Sequence, residues 1–589
     1  MKKWTKILFG FIFIIGIITY FYIIYPGWGM PFNDQRHGQL PLTPAWALEC
    51  WLWEDDVNTA EYVDELLSGY VEHDIPVRTI IIDSPWSLRY NDFEVDTSRY
   101  PNPDKWFKKL QDENYRVVLW MTPIVNSFSK DTKIKDSRDW SGEAKRKGYL
   151  ISNDDKVDWW KGDGGFIDYT NPEALKWWRG IQQTVFDYGI DGWKLDGAAT
   201  LNWTEIFGIP FMYRTTSDGL ITTRNYMDQY YRNEYQHGLT QNPEFITLSR
   251  SIDRMWTHPE GFSPFDASPV NWVGDQKHTW KSDNLNEKKE ENSDLVIEGV
   301  RGIEMAIEHI LESARLGYNI IGSDVAGFSG GEIPPRLYIR WAQFSTFCGL
   351  FMNGGHGERR LWKRSEEELK VIRKFSWLHT ELIPYMYHYV VTAHNDGRRL
   401  QTPLDEGKYH YMFGDDFLVA PIYVDSKINS VSLPKGNWRY FFDDKKLYDG
   451  GNTFELEFPM DEFPVFIKEG AIIPMDIKRD YTKIGDENSN GFTTILIYPT
   501  TNNSFTFYHP DSDYKTEIGF NKSDTNLTIT LIGKKIPHIL NIHSNKIPTK
   551  IILDEELLVI NDDWIYDYKK QKIFIKTELY GKGNYDIKF

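Results

Sequence analysis

From Trp46 to about residue 385, short apolar runs alternate with amphipathic stretches. The runs "VRTIIIDS", "YRVVLWMTP", "GIDGWKLDG", "EFITLSRS" and "YNIIGSDVAG" are bounded by polar or turn-forming residues and read as buried strands. Between them, "NTAEYVDELLSGYVEHD", "PDKWFKKLQDEN", "NPEALKWWRGIQQTVFDYG" and "GIEMAIEHILESARLG" repeat apolar residues at three- and four-residue spacing, which predicts helices. Strand followed by helix, repeated, predicts parallel βα units, in a (β/α)8 barrel or an open doubly wound sheet. No glycine-rich phosphate loop follows the first strand, so the barrel fits better.

Beyond residue 385 the pattern changes to short β-rich runs punctuated by Gly, Pro, Asn and Asp, among them "DDFLVAPIYV", "SVSLPKGNWRYFF", "FPVFIKEGAIIPM", "SFTFYHP" and "NLTITLIG". This predicts antiparallel sandwiches. The charged insert "KSDNLNEKKEENSDL" reads as a mobile loop.

At the other end, "MKKWTKILFGFIFIIGIITYFYIIYPGWG" sets Lys2, Lys3 and Lys6 before an uncharged run from Ile7 to Ile24, long enough for a membrane-spanning helix. Tyr20, Tyr22, Tyr25 and Trp28 follow as interfacial aromatics do, and the lysines favour the cytoplasmic side. No small-x-small cleavage site follows, which favours an uncleaved signal anchor over a signal peptide. The expected fold class is α/β: an N-terminal transmembrane helix, a (β/α)8 TIM barrel, then C-terminal antiparallel β-sandwich domains. The expected boundaries are a basic tip at 1–6, the anchor at 7–25, a linker at 26–44, the barrel at 45–385, a proximal sandwich at 386–476 and a distal one at 477–589. The bulk of the chain is then expected outside the cytoplasm, tethered to the membrane.

Composition narrows the chemistry. The formal net charge of -18 argues against a nucleic-acid partner, which needs a basic surface. Cys50 and Cys348 are the only cysteines, which leaves no disulfide framework and no thiolate metal site. With no HExxH or clustered His spacing either, neither a catalytic metal nor another cofactor is expected. The 23 Trp residues suit ordinary packing and the flat faces of sugars alike.

Three expected strands end in an aspartate: Asp83 in "IIIDSPW", Asp196 in "WKLDG" and Asp324 in "IIGSDVAGF". Asp275 in "NWVGDQKHTW" follows a less regular segment. A single aspartate at a strand end is an ordinary turn former or helix cap. In a barrel, however, the C-terminal strand ends meet at one face, where active sites lie. Clustered carboxylates without metal ligands suggest glycoside hydrolysis, in which one carboxylate attacks or stabilises the anomeric carbon and a protonated one serves the leaving oxygen.

From about Trp46 to Met475 the chain resembles glycoside hydrolase family 31, through an ordered series of motifs. "TPAWALECWLWEDD" resembles the first barrel strand, and "IIIDSPWS" the strand whose aspartate, here Asp83, binds a sugar hydroxyl. "VVLWMTPIVN", which contains Trp120, and "FIDYTNPEALKWW" also have family counterparts. "GIDGWKLDG" is similar to the nucleophile motif, which implies Asp196 as nucleophile and Lys194 as an active-site contact. "NWVGDQKHTW" is similar to the acid/base motif and implies Asp275. "GSDVAGF" and "LFMNGGHGERRLW" imply Asp324 and His356 as sugar ligands. Trp86, Trp120 and Trp193 are candidates for walls of the sugar site and equally for core rings. The family has a substrate-contacting arginine upstream of the acid/base motif, and Arg250 and Arg254 are both candidates. In place of the family's large N-terminal β-sandwich stand the expected membrane segment and linker, so one wall of the pocket is expected to come from elsewhere or to be missing.

The resemblance implies double displacement with retention by Asp196 and Asp275, their carboxyl groups roughly 5–5.5 Å apart. The substrate expected is an oligosaccharide or glycoside ending in an α-linked glucose or xylose. The same residues also allow transglycosylation, an α-galactosidase, or a barrel that binds sugar at the membrane without cutting it. Neither the sugar nor the oligomeric state is fixed by the sequence.

Overall fold

A computed structural model describes residues 2–19, 38–153, 157–197, 205–206, 209–210, 213–252, 263–280, 301–510, 512–578 and 583–589. Arg254, the charged insert at 281–295 and the aromatics Tyr20, Tyr22, Tyr25 and Trp28 lie outside these residues. The chain divides into two compact units, one of Met1–Pro41, Trp53–Glu65 and Thr79–Gly274, the other of Leu42–Leu52, Leu66–Arg78 and Asp275–Phe589.

Eight short strands recur between helices: β1 (Cys50–Leu52), β2 (Thr79–Ile82), β3 (Arg116–Met121), β4 (Gly192–Leu195), β5 (Ile246–Arg250), β6 (Val270–Trp272), β7 (Ile321–Gly322) and β8 (Phe351–Asn353). In the first unit, β2 to β6 form one parallel sheet in sequential order. Its register aligns Trp120 with Lys194, Lys194 with Leu248, and Leu248 with Val270. Because every pair is parallel, Asp83, Asp196 and the end of β5 leave the sheet at the same edge. In the second unit, β1 pairs in parallel with β8, and a parallel bridge joins Asp324 to Met352. Parallel strands separated by helices are what the alternation predicted.

The helices of the first unit follow from local signals. The helix Pro172–Asp187 opens on Asn171, whose side chain accepts from the N–H groups of Glu173 and Ala174, with proline at the first helical position. Its apolar face, including Trp178, Val185 and Phe186, is buried. Between β3 and β4 the chain also builds a small antiparallel sheet from Ile124–Ser129, Val157–Trp159 and Gly162–Phe166, which the sequence pattern did not predict. Its third strand reads "GDGGF", and a Cβ at Gly162 would stand 1.9 Å from the Phe128 carbonyl oxygen. Close strand approach, at φ +136°, selects glycine there against strand propensity.

In the second unit, a six-stranded antiparallel sheet runs through Gln401–Pro403, Tyr411–Phe413, Phe417–Val419, Val465–Lys468, Asn437–Tyr440 and Asp443–Asp449. With the paired strands Ile428–Leu433 and Asn452–Glu457 it encloses a core of Leu418, Val431, Leu433, Trp438 and Phe466. Two further sheets, of five and six strands, enclose a second core that includes Ile495, Ile518, Leu540 and Ile575. Here the expectation of wholly antiparallel sandwiches is corrected, because Thr493–Ile497 and His538–His543 pair in parallel. The chain between them crosses to build three strands of the other sheet, a connection that allows parallel return where a hairpin does not.

The expected membrane span is not found among the described residues. The N-terminal helix is Lys2–Thr19, 18 residues that include Lys2, Lys3 and Lys6. Among the described residues no helix is long and apolar enough to cross a membrane. The lysines shorten the apolar part, and residues 20–25, which a full span requires, lie outside the described residues.

Candidate active site

Successive residues of a strand face opposite sides, so in β4 and the residue after it Lys194 and Asp196 share one face while Trp193 takes the other. Lys194 is buried and donates to Asp83 Oδ2 at 2.7 Å. Its ammonium also stands 3.7 Å from the centroid of the Trp53 ring and 5.6 Å from that of Trp272, a cation–π setting that stabilises a charge withdrawn from water. Asp83 in turn accepts from the N–H of Ser84 at 2.8 Å.

Asp196 is held by three donors. Arg250, at the end of β5, donates from Nε to Oδ1 at 3.1 Å. The N–H of Gly197 reaches the same oxygen at 2.9 Å, and the indole of Trp120, in β3, reaches Oδ2 at 3.2 Å. Arg250 is buried and lies with its guanidinium carbon 4.5 Å from the Trp272 ring centroid. The backbone is fixed as well: Asp196 N–H donates to Met121 O at 3.0 Å, and the Tyr230 hydroxyl lies 3.1 Å from Asp196 O. Trp120 is itself set by Trp86, whose indole donates to its carbonyl at 2.7 Å.

Two carboxylates and two cations thus form a compact, charge-balanced group in the first unit. Burial pushes the Asp196 carboxyl up, but Arg250 and Lys194, with the Gly197 and Trp120 donors, outweigh it and hold the group below the usual carboxylate range. An ionised, oriented carboxylate with 14% of its side chain exposed is suited to attack an electrophilic carbon and unsuited to deliver a proton.

Trp193 does not join this group. It is fully buried against Phe93, Phe186 and Phe245 on the helix-facing side of β4, so the expectation that it walls the sugar site is corrected. The two-residue period that brings Lys194 and Asp196 to the site carries Trp193 away from it. Of the two candidate arginines, Arg250 contacts Asp196. Trp53 and Trp272 belong to the group although the sequence reading did not single them out; each sits at or just past a strand end, the place to look.

The second unit holds Asp275, Asp324 and His356. Asp275 is half-buried and follows Gly274, three residues past the last residue of β6. Asp324 is buried just past β7. The loop after it returns to that of His356: His356 N–H donates to Phe328 O at 2.8 Å, and the two rings lie 4.8 Å apart. His278 Nδ1 lies 2.8 Å from Ala326 O in the same loop. Behind both loops sits Arg359, which the sequence reading also passed over.

Neither cysteine is a ready thiolate nucleophile. Burial pushes the Cys50 thiol up to about 12, and raises that of Cys348 further. Among the described residues no group of three or more His, Cys, Asp or Glu side chains is placed to hold a metal ion.

Comparison with known proteins bears on this arrangement. Residues 40–389 match the model of the glycosyl hydrolases family 31 TIM-barrel domain, and residues 384–473 that of the glycosyl hydrolase family 31 C-terminal domain. Strands β1 to β8 all fall within the first match. The chain is 27% identical over 468 residues to an α-xylosidase of Emericella nidulans, covering 75% of this chain and 54% of that protein. It is 26% identical over 507 residues to α-glucosidase 2 of Bacillus thermoamyloliquefaciens, covering 83% and 60%. The chain therefore spans little more than half the length of these relatives. Among solved structures, a dextranase of Flavobacterium johnsoniae complexed with glucose superposes with a TM-score of 0.78 at 21% identity, over 94% of this chain and 72% of that one. At that identity the likeness speaks for the fold.

Proposed function

The chain belongs to glycosyl hydrolase family 31, and from that premise we propose that it is an exo-acting, retaining α-glycosidase that removes terminal α-linked glucose or xylose. In this reading Asp196 attacks the anomeric carbon while Asp275 protonates the departing oxygen. Asp275 then takes a proton from water as that water displaces the sugar from Asp196. Asp83 with Lys194, and Asp324 with His356, hold sugar hydroxyls, and Arg250 and Trp120 orient the nucleophile.

The observation that carries the reading is the setting of Asp196: fixed by Arg250, Gly197 and Trp120, open to solvent over a small part of its surface, and held below the usual carboxylate range by the neighbouring cations. The choice of glucose and xylose rests on the names of the relatives, an α-glucosidase and an α-xylosidase. The test is hydrolysis of aryl α-glucoside, α-xyloside and α-galactoside by the native chain and by Asp196→Ala. Turnover of the glucoside or xyloside, lost in the variant and giving the α-anomer first, is the expected result. The β-anomer as first product, or unchanged turnover by the variant, rejects it. Turnover of the galactoside alone changes the sugar but keeps the mechanism, and an added sugar acceptor that diverts product from hydrolysis marks a transglycosylase.

The reading also puts the enzyme at a membrane surface through its N-terminal helix, whose Trp4, Phe9 and Phe13 are 77%, 69% and 69% exposed. Exposed large apolar side chains are costly in water and favourable in lipid. Sedimentation of the full chain with lipid vesicles, lost on removal of residues 1–37, is the expected outcome. Cosedimentation that survives the removal assigns the attachment elsewhere.

A further inference from the structure

Arg359 is a completely buried cation whose partners are almost all main-chain oxygens. Its Nη1 donates to Val325 O at 2.6 Å and to Asn353 Oδ1 at 3.4 Å. Its Nη2 donates to Gly327 O at 2.8 Å and to His356 O at 2.9 Å, and Nε reaches His356 O at 3.2 Å. Among the described residues none of its partners is a carboxylate. A buried positive charge without a counterion is expensive, and a carbonyl-only shell compensates it through many simultaneous hydrogen bonds.

The acceptors are not scattered. Val325 and Gly327 flank Ala326 in the turn that directly follows Asp324, and His356 is itself an acceptor. The turn carries two consecutive left-handed residues, Ala326 at φ +71° and Gly327 at φ +88°. Alanine is poorly suited to that region, so the conformation is imposed by its surroundings. Those surroundings are Arg359 on the carbonyls of 325 and 327 and His278 on that of 326. A Cβ at Gly327 would also meet Lys277 O at 2.7 Å, so the turn is packed as well as tied. Arg359 is fixed from its other side, where the Tyr70 hydroxyl donates to its carbonyl at 2.9 Å and the Asn353 amide to the Tyr70 oxygen at 2.8 Å.

We propose that Arg359 is a positioning residue for the reaction, setting the loop of Asp324 against the loop of His356 so that both sugar ligands address one substrate. The planar guanidinium presents five N–H donors in a fixed fork, and Arg359 uses both ends and the Nε to join two loops. A lysine at this place keeps the charge but is a point donor and cannot span them. The inference rests on the proposed glycosidase reading, since it assumes that Asp324 binds sugar.

The test is a double-mutant cycle on the full chain with the aryl glycoside that the native protein turns over. Arg359→Lys and Arg359→Met are measured alone and in the Asp324→Asn background, with melting temperature and circular dichroism confirming the folded state and Asp196→Asn as a control. Either single variant is expected to lose at least tenfold in kcat/KM, with KM raised, and less than threefold further once Asp324 is already Asn. Residues acting through one contact are non-additive, whereas a merely structural role multiplies. Should the methionine variant fail to fold, the lysine variant, which retains the charge, carries the cycle. A full multiplicative loss in the Asp324→Asn background, or native kcat/KM in a folded Arg359 variant, overturns the proposal. Native turnover by Asp196→Asn instead removes the glycosidase reading itself, and with it this inference, independently of the cycle.

Discussion

Arg250 Nε lies 3.1 Å from Asp196 Oδ1, with the two side chains only 5% and 14% exposed. The pair joins the ends of β5 and β4 and biases the carboxyl toward its ionised form. Removing one member of a buried pair leaves the other charge uncompensated, which is why the contact reports on mechanism as well as on stability. Since the folded-state pKa of Asp196 lies below its ordinary value, the stability it contributes is present above the ordinary carboxylate range and is lost as pH falls through the lowered value.

Arg250→Met is accordingly expected to move the acid limb of the kcat/KM profile upward, by about one pH unit or more, the usual effect of an adjacent opposite charge. Arg250→Lys restores part of the shift. Rate profiles from pH 3 to pH 8 check this, and an acid limb that stays in place in the methionine variant counts against Asp196 as the group that must be ionised.

Trp120 offers a cleaner subtraction. Trp120→Phe keeps an aromatic ring beside Trp159, whose plane is only 2° from that of Trp120, but removes the N–H that reaches Asp196 Oδ2. A hydrogen bond to a charged group contributes about 1.5–3 kcal/mol, which corresponds to a loss of roughly ten- to a hundredfold in kcat/KM. The melting temperature is expected to change by only a few degrees. Unchanged kinetics in a folded variant exclude the indole from orienting the nucleophile.

The contrast between Lys194 and Trp193 marks how far the sequence could be read. Asp83, Asp196 and Asp324 were visible because each follows an apolar strand, and within the first unit parallel topology then aligns the ends that carry Asp83 and Asp196. The two-residue period that separates Trp193 from Lys194 was equally present in "GWKLD", yet a strand buried on both faces shows no polar alternation to reveal it. Arg250 and Arg254 were indistinguishable by spacing; Arg250 reaches Asp196, and Arg254 lies outside the described residues. Arg359 left no signal, since its partners are carbonyls, which are common to every residue, and those of Val325 and Gly327 lie more than thirty residues away in the chain. The sheet at 124–166 was hidden because close approach put Gly162, Gly164 and Gly165 where strand propensity asks for β-branched residues.

Gly197 should be intolerant of a side chain. Its φ is +73°, and a Cβ there would stand 2.5 Å from Thr122 Cγ2 and 2.9 Å from Thr122 Cβ. Gly197→Ala therefore adds a left-handed alanine, costing about 1–2 kcal/mol, to a steric overlap next to the nucleophile. Loss of stability together with a fall in kcat is expected. Thr122→Ser removes Cγ2 and keeps the hydroxyl that accepts from Asn91, so it recovers part of the stability loss but not the part due to φ. Thermal melts of the two single variants and the double variant check this; complete recovery rules out the backbone contribution.

Away from the site, Glu381 makes stability depend on pH in the opposite sense to Asp196. Burial pushes its carboxyl up to about 7, despite the N–H groups of Lys478 and Arg479 that donate to Oε1 at 3.0 and 3.2 Å. The unfolded chain releases this proton near the ordinary glutamate value, while the folded chain holds it until about pH 7. Between those limits the folded state binds more protons, so stability falls as pH rises, by on the order of 3 kcal/mol in all if no other group intervenes. Glu381→Gln keeps the oxygen acceptor and cannot ionise. It is therefore expected to flatten the decline between pH 4.5 and pH 8, with its advantage over the native chain growing as pH rises. The absolute gain is smaller than the change in slope, because the new amide N–H₂ takes the place of Oε2, a buried atom with no hydrogen-bond partner among the described residues. Urea unfolding at a series of pH values measures the slope directly, and parallel curves for the two proteins rule out a buried, proton-holding Glu381.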